Sequence, residues 1–198
     1  VAETLYLPSD APALANQTDG VPTITTAVSV VVSVPGTISH CRFYATTGAA
    51  SSVGSHYQIA AWEVTADDNT PAGTLLSSSA LIPVASITPG AWNQFAFPSP
   101  IPVLPGHLYR IGMWNDAARY VFTAGFYSGH DQVSTGGHMT AFHNGDNPTG
   151  LGTQNQNVFN ISGGLAYPFN TTAANYWIDP VFNPAGSADQ GSFLPFFD

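Results

Sequence analysis

Histidine and aspartate crowd one stretch of this chain more than any other chemically active residues do. His130-Asp131, His138 and His143 fall within 14 residues, and nitrogen and carboxylate donors at that density could converge on a metal ion. Their spacing matches no zinc signature, and a glycine-bearing loop does not itself fix tetrahedral geometry. They read as solvated loop histidines, and no metal ligand is assigned. Asp67-Asp68-Asn69-Thr70 offers oxygens suited to calcium, the one ion entertained as a cofactor, without the alternating acidic spacing of a calcium loop. Only two glutamates occur, Glu3 and Glu63. Glycoside hydrolysis needs two positioned carboxylates, and Glu63, Asp116 and Asp179 sit in no recognisable motif. There is no G-x-S-x-G elbow, no phosphate-cradling glycine pattern, and a lone Cys41 with scattered histidines is not a thiol-protease signature. No catalytic residue is assigned, and the chain reads as non-enzymatic.

Aromatic side chains suggest a different chemistry. Trp92, Trp114, Tyr120, Tyr127 and Trp177 could each present a flat face to a sugar ring, with Asn and Asp orienting its hydroxyls. Trp62, Trp92 and Trp177 read instead as core. Trp114 and Tyr127 flank loops, so the candidate glycan site is Trp114, Tyr127, Asn115 and Asp116, with burial of the two aromatics as the open alternative. Arg42 lies between apolar neighbours and reads as a structural arginine that needs a carboxylate if buried.

Composition narrows the partners. The 198 residues carry no lysine and three arginines against twelve acids, a net charge of −9. Such a chain cannot supply the row of phosphate contacts that nucleic acid requires, nor dock on an anionic membrane. At 44% hydrophobic it is too apolar for disorder, and at this length it can bury ~70% of its unfolded surface without disulfides. The single cysteine, in an alternating stretch, reads as buried. No run approaches the ~20 apolar residues of a membrane span. Val1-Ala2-Glu3-Thr4-Leu5 lacks the basic and apolar regions of an export signal, so synthesis without one is expected.

These residues must be positioned by strands. Nineteen glycines and sixteen prolines punctuate alternating or β-branched stretches at 23–34, 37–46, 56–64, 74–82, 91–97, 108–114, 120–126 and 175–182, with no helical apolar repeat. In 37–46 strict alternation places Ile38, His40, Arg42 and Tyr44 on one face and Cys41 and Phe43 on the other. The expected fold is all-β: a two-sheet antiparallel sandwich or jelly roll of residues 22–184, with a long surface loop at 128–157. Phe43, Trp62, Phe95, Ile111 and Trp177 should lie inside. Residues 1–21 form an N-terminal arm, and 185–198 a linker and aromatic tail. Phe193, Leu194, Phe196 and Phe197 are costly to leave in water, which makes them the candidate assembly residues.

The order of motifs carries a resemblance. Gly36-Thr37-Ile38, Cys41-Arg42-Phe43-Tyr44, Ala61-Trp62, Ala72-Gly73-Thr74-Leu75-Leu76 and Gly90-Ala91-Trp92-Asn93-Gln94-Phe95 follow one another. Pro100-Ile101-Pro102-Val103, His107-Leu108-Tyr109-Arg110-Ile111, Arg119-Tyr120 and Asn175-Tyr176-Trp177-Ile178-Asp179-Pro180-Val181-Phe182 continue the series. Over residues 22–184 it resembles the bacterial domain-of-unknown-function family 4082. The resemblance implies a β-sandwich module without catalysis of its own, found in secreted carbohydrate-active and cell-surface proteins and in bacteriophage head or tail proteins. It supplies no ligand residues. Because Arg42 and Asp179 sit in the clearest family-like strands, Asp179 is the partner expected for Arg42. The expected role is a virion protein, a capsid decoration or tail component, working as a homo-oligomer with other virion proteins and touching cell-surface glycan. The alternative is an extracellular carbohydrate-binding accessory module of a secreted bacterial protein.

Overall fold

The alternating stretches pair into antiparallel ladders. In the computed structural model, residues 1–18, 20–47, 56–66, 72–151 and 156–186 are described. The tail residues Phe193, Leu194, Phe196 and Phe197 and the Asp67-Asp68-Asn69-Thr70 cluster lie outside them. The chain begins with β1 (Leu14–Thr18), β2 (Ile24–Val32), β3 (Gly36–Tyr44), β4 (His56–Val64) and β5 (Gly73–Ser78). Next come β6 (Ile82–Pro83), β7 (Trp92–Val103), β8 (Tyr109–Asn115), β9 (Arg119–Phe122), β10 (Gln132–Val133) and β11 (Met139–Ala141). It closes with β12 (Asn157–Asn160), β13 (Asn170–Thr172) and β14 (Ile178–Pro184). Among the described residues the larger sheet has nine strands, in the order β10-β11-β2-β8-β4-β5, with β12, β13 and β6 attached at its margins. A three-stranded sheet, β14-β3-β7, packs against it, and β1 pairs with β9. Strand accounts for 49% of the described residues and helix for 2%, so the molecule is an all-β sandwich.

Between the sheets, Phe43 stacks on Tyr57 at 5.3 Å and on Phe95 at 6.0 Å. Phe43, Trp62, Ile111, Trp177 and Cys41 are all buried. Phe95 departs from expectation: it is only half-buried, because it lies on β7, the edge of the small sheet. Ile38 also departs. Against β14, Val181 pairs with His40 and the next residue, Phe182, with Ile38, which leaves Ser39 as a bulge; against β7 the extra residues lie on the partner strand, between Ala96 and Ile101. One extra residue inverts the alternation beyond it, so Ile38 joins Cys41 and Phe43 in the core.

A period of two predicts one wet face for each antiparallel strand, yet β2 is buried almost throughout. The register aligns Trp62, Arg110 and Ser29 across three strands, opposite the face that carries Tyr109, Ile111 and Met113. Residues 160–168 cover that row. Tyr167 meets Trp62 edge-on at 6.4 Å, and the fully buried Arg110 donates to the Tyr167 hydroxyl and the Pro168 carbonyl, both at 2.7 Å. Gly73 is required beneath this cover, since a Cβ there would fall 2.2 Å from the Tyr167 ring. The centre of the large sheet is therefore dry on both faces, while its edge strands β5 and β10 stay partly exposed.

The first residues are not a free arm. Glu3 bridges to Phe182 in β14, Leu5 and Tyr6 are 2% exposed, and β1 lies beside β9. An isolated bridge and side-chain contacts, rather than a strand pattern, hold residues 3–6, so periodicity could not reveal them.

Candidate functional site

The four residues assigned to a glycan site do not meet on one surface. Tyr127 is fully buried and shares a 2.6 Å hydrogen bond with the Tyr6 hydroxyl; a ring so enclosed cannot stack on a ligand, which corrects its assignment. Asn115 is also buried and holds the β8–β9 turn. Its Oδ1 accepts from the amides of Ala117 at 3.2 Å and Arg119 at 2.9 Å, and its Nδ2 donates to the Arg119 carbonyl at 2.7 Å. These bonds stabilise Ala118 at a φ of 46°, so Asn115 is structural as well. Trp114 and Asp116 are partly exposed, and Asp116 accepts the His56 amide at 3.1 Å.

The histidine-rich loop divides in two. His138 turns to Glu3: its Nδ1 donates to Oε1 at 2.5 Å and its amide to Oε2 at 3.1 Å. The Ser134 hydroxyl donates to the same carboxylate at 2.6 Å. Serine, histidine and glutamate are thus together in the wrong order for a nucleophile, because the hydroxyl proton goes to the acid and not to the imidazole. These hydrogen bonds outweigh burial and hold the Glu3 carboxyl below its ordinary range. A shallow groove of about 560 Å³ runs past His138, between Val34, Pro35 and Pro184.

Asp131 and His143 do converge, joined by Asp146. The His143 amide and Nδ1 both donate to Asp131 Oδ1 at 2.7 Å, and Asp146 Oδ2 lies 3.9 Å from Nδ1. Desolvation is the largest influence on the Asp131 carboxyl and pushes upward, but the His143 bonds and the nearby His130 bring it below the ordinary range. One nitrogen and two carboxylate oxygens lie within 4.8 Å of one another, the group among the described residues best able to offer donors to a metal. At 2.7 Å the first two atoms form a hydrogen bond, closer than the ~3.4 Å separating two ligands at ~2.1 Å from one tetrahedral ion.

The most developed constellation is buried. β3 and β14 pair with Asp179 opposite Arg42, which places the two side chains on one face. The Arg42 guanidinium donates through Nη2 to Asp179 Oδ2 and to the Tyr6 carbonyl at 2.8 Å. Asp179 also accepts the amides of Leu5 at 2.8 Å and Tyr6 at 3.3 Å. Removal from water dominates at this carboxyl and pushes it up to about 6, while Arg42 and the two amides pull downward. Above the pair, Arg42 lies 4.9 Å from the centre of the Trp92 ring. Trp92, Trp177 and Phe126 surround the Tyr6 ring at 5.7, 5.1 and 6.1 Å. Trp177 reaches this position through a φ of 54°, rare for so large a residue. Its amide donates to Asn175 Oδ1 at 2.7 Å and its indole to Thr123 at 2.9 Å. Sequence reasoning found the Arg42–Asp179 pair but missed what it encloses; Leu5-Tyr6-Leu7, apolar within a polar opening, was the available signal.

With this geometry in view, the family described as "Domain of unknown function (DUF4082)" matches residues 9–178. No curated protein matches the chain.

Proposed function

The chain belongs to the DUF4082 family, and on that premise we propose that it is a non-enzymatic structural and binding module. We place it in a bacteriophage virion, as a capsid decoration or tail component that packs against its own copies and other virion proteins. The observation that carries the non-enzymatic reading is how the acids are used. Glu3, Glu63, Asp116, Asp131 and Asp179 each face a histidine or arginine, and four of them tie one segment of the fold to another. The −9 charge without lysine suits a partner surface met through polar and aromatic groups. Trp114 and Asp116, partly exposed at one end of β8, favour a second reading, a carbohydrate-binding accessory module at a cell surface.

Polysaccharides, peptidoglycan and peptides incubated with the protein should give no product above background. Cleavage that disappears in Glu63→Gln or Asp116→Asn would overturn the reading, since loss of an essential acid or base typically costs roughly 10²–10⁴-fold. A glycan array separates the two readings: saturable binding lost in Trp114→Ala would favour the carbohydrate-binding module.

A further inference from the structure

Residues 3–6 lie in the sandwich as a ligand lies in a site. Their one ladder contact is the Glu3–Phe182 bridge; beyond it and the Thr135 amide, which donates to the Thr4 carbonyl at 3.0 Å, side chains of the sandwich hold them. Asp179 takes two successive main-chain amides, Arg42 supplies a donor to the following carbonyl, and the aromatic walls take one phenol ring. The Tyr127 hydroxyl closes the far end. Arg42, Trp92, Phe126, Tyr127 and Trp177 lie within the span shared with the family, Asp179 directly follows it in β14, and the occupant precedes it. The cage thus belongs to the sandwich, and the occupant to an appended segment.

We propose that this cage is a binding site for an extended Leu-Tyr peptide segment, and that the segment of one copy of the chain can fill the cage of a second copy. The contacts are to main chain, to the Tyr6 ring, to the buried Leu5 side chain and to the Glu3 carboxylate, all supplied by the segment itself, so they are the same whichever copy supplies it. The connection to β1 runs through residues 7–13, with Pro8 and Pro12 disfavouring a helix on either side and with Leu7 exposed. Seven residues reach up to about 25 Å when extended, enough to leave one sandwich for an adjacent one. Exchange of an identical element requires no new contact surface and is a low-cost route to a dimer. This goes beyond the assembly reading, because the cage would take such a segment in a cell-surface module equally well.

The test uses the full-length chain with Tyr6→Ala, which empties the aromatic part of the cage, and the capped peptide Glu-Thr-Leu-Tyr-Leu. The peptide should bind the variant and raise its Tm, leave the wild type unchanged because its cage is filled, and bind at least tenfold more weakly with alanine in place of its tyrosine. Light scattering should show a wild-type dimer fraction that rises with concentration and is lost in the variant. In wild-type hydrogen exchange, the Leu5 and Tyr6 amides should exchange at least tenfold faster than that of Ile111, through release of the segment alone. Should Tyr6→Ala fail to fold, this exchange comparison decides: equal rates mean that the segment opens only with the whole domain, and overturn the proposal. A folded variant that ignores the peptide overturns it as well. Peptide binding with the same oligomeric distribution in wild type and variant overturns the second copy as donor.

Discussion

Asp179 and Asp131 each face a nitrogen-bearing side chain, Arg42 in one case and His143 in the other, and Asp179 also accepts two backbone amides and Asp131 one. Asp179 has no exposed surface, whereas the Asp131 and His143 side chains keep 31% and 35% of theirs. The carboxyls move in opposite directions, Asp179 up to about 6 and Asp131 below its ordinary value. Similar contacts thus have opposite electrostatic outcomes, and removal from water makes the difference. A buried pair is held by what its loss would leave behind; a surface pair, only by its own attraction.

The comparison breaks most readily at the buried pair. Asp179→Ala strands the Arg42 guanidinium and the Leu5 and Tyr6 amides in the interior, and the expected loss is about 3–5 kcal/mol in urea unfolding, or failure to fold. A loss near 1 kcal/mol would place Asp179 in the same class as Asp131.

The pH dependence sharpens the comparison. Asp179 titrates at 3.8 in the unfolded chain and at about 6 in the folded one. The folded state binds its proton more tightly, so ionisation costs stability: the penalty is complete above about pH 6 and fades as pH falls towards 3.8. Asp131 has the opposite sign. Its stabilisation is present above 3.8 and is lost as pH falls through its lower folded value. Urea midpoints measured across pH should therefore change with Asp179→Asn mainly between 3.8 and about 6, and with Asp131→Asn only below that window. Coincident windows would remove the distinction.

The smallest effect belongs to the loop. His143→Ala should cost less than about 1 kcal/mol, with the ion-pair part diminishing at high salt.

Sandwich architecture and buried Cys41 were legible in the sequence because period-two patterning places core residues directly, whereas the Arg42–Asp179 pair was expected from the family resemblance, which set both residues in its clearest strands. Ile38 was misplaced because the bulge at Ser39 has no composition signal of its own. The cover of residues 160–168 and the enclosure of Tyr6 and Tyr127 were invisible for a related reason: segments without periodicity were judged by their polarity, while their burial depends on what lies across the fold. Asn115 was read as a sugar contact because an asparagine that closes a turn and one that orients a hydroxyl use the same amide. Of the four glycan-site candidates, Trp114 and Asp116 are the two that are partly exposed.

Cys41 gives the molecule a built-in chemical clock. Its thiol is fully buried between the two sheets, with Sγ 3.7 Å from the Gly112 carbonyl across the interface, and burial pushes its ionisation well above the ordinary thiol range. An alkylating reagent consumes only thiolate it can reach, so modification must wait until the small sheet lifts from the large one. With a single cysteine in the chain, each alkylated molecule records one such separation. Release of the Tyr6 segment alone, by contrast, should pass without a mark on the thiol.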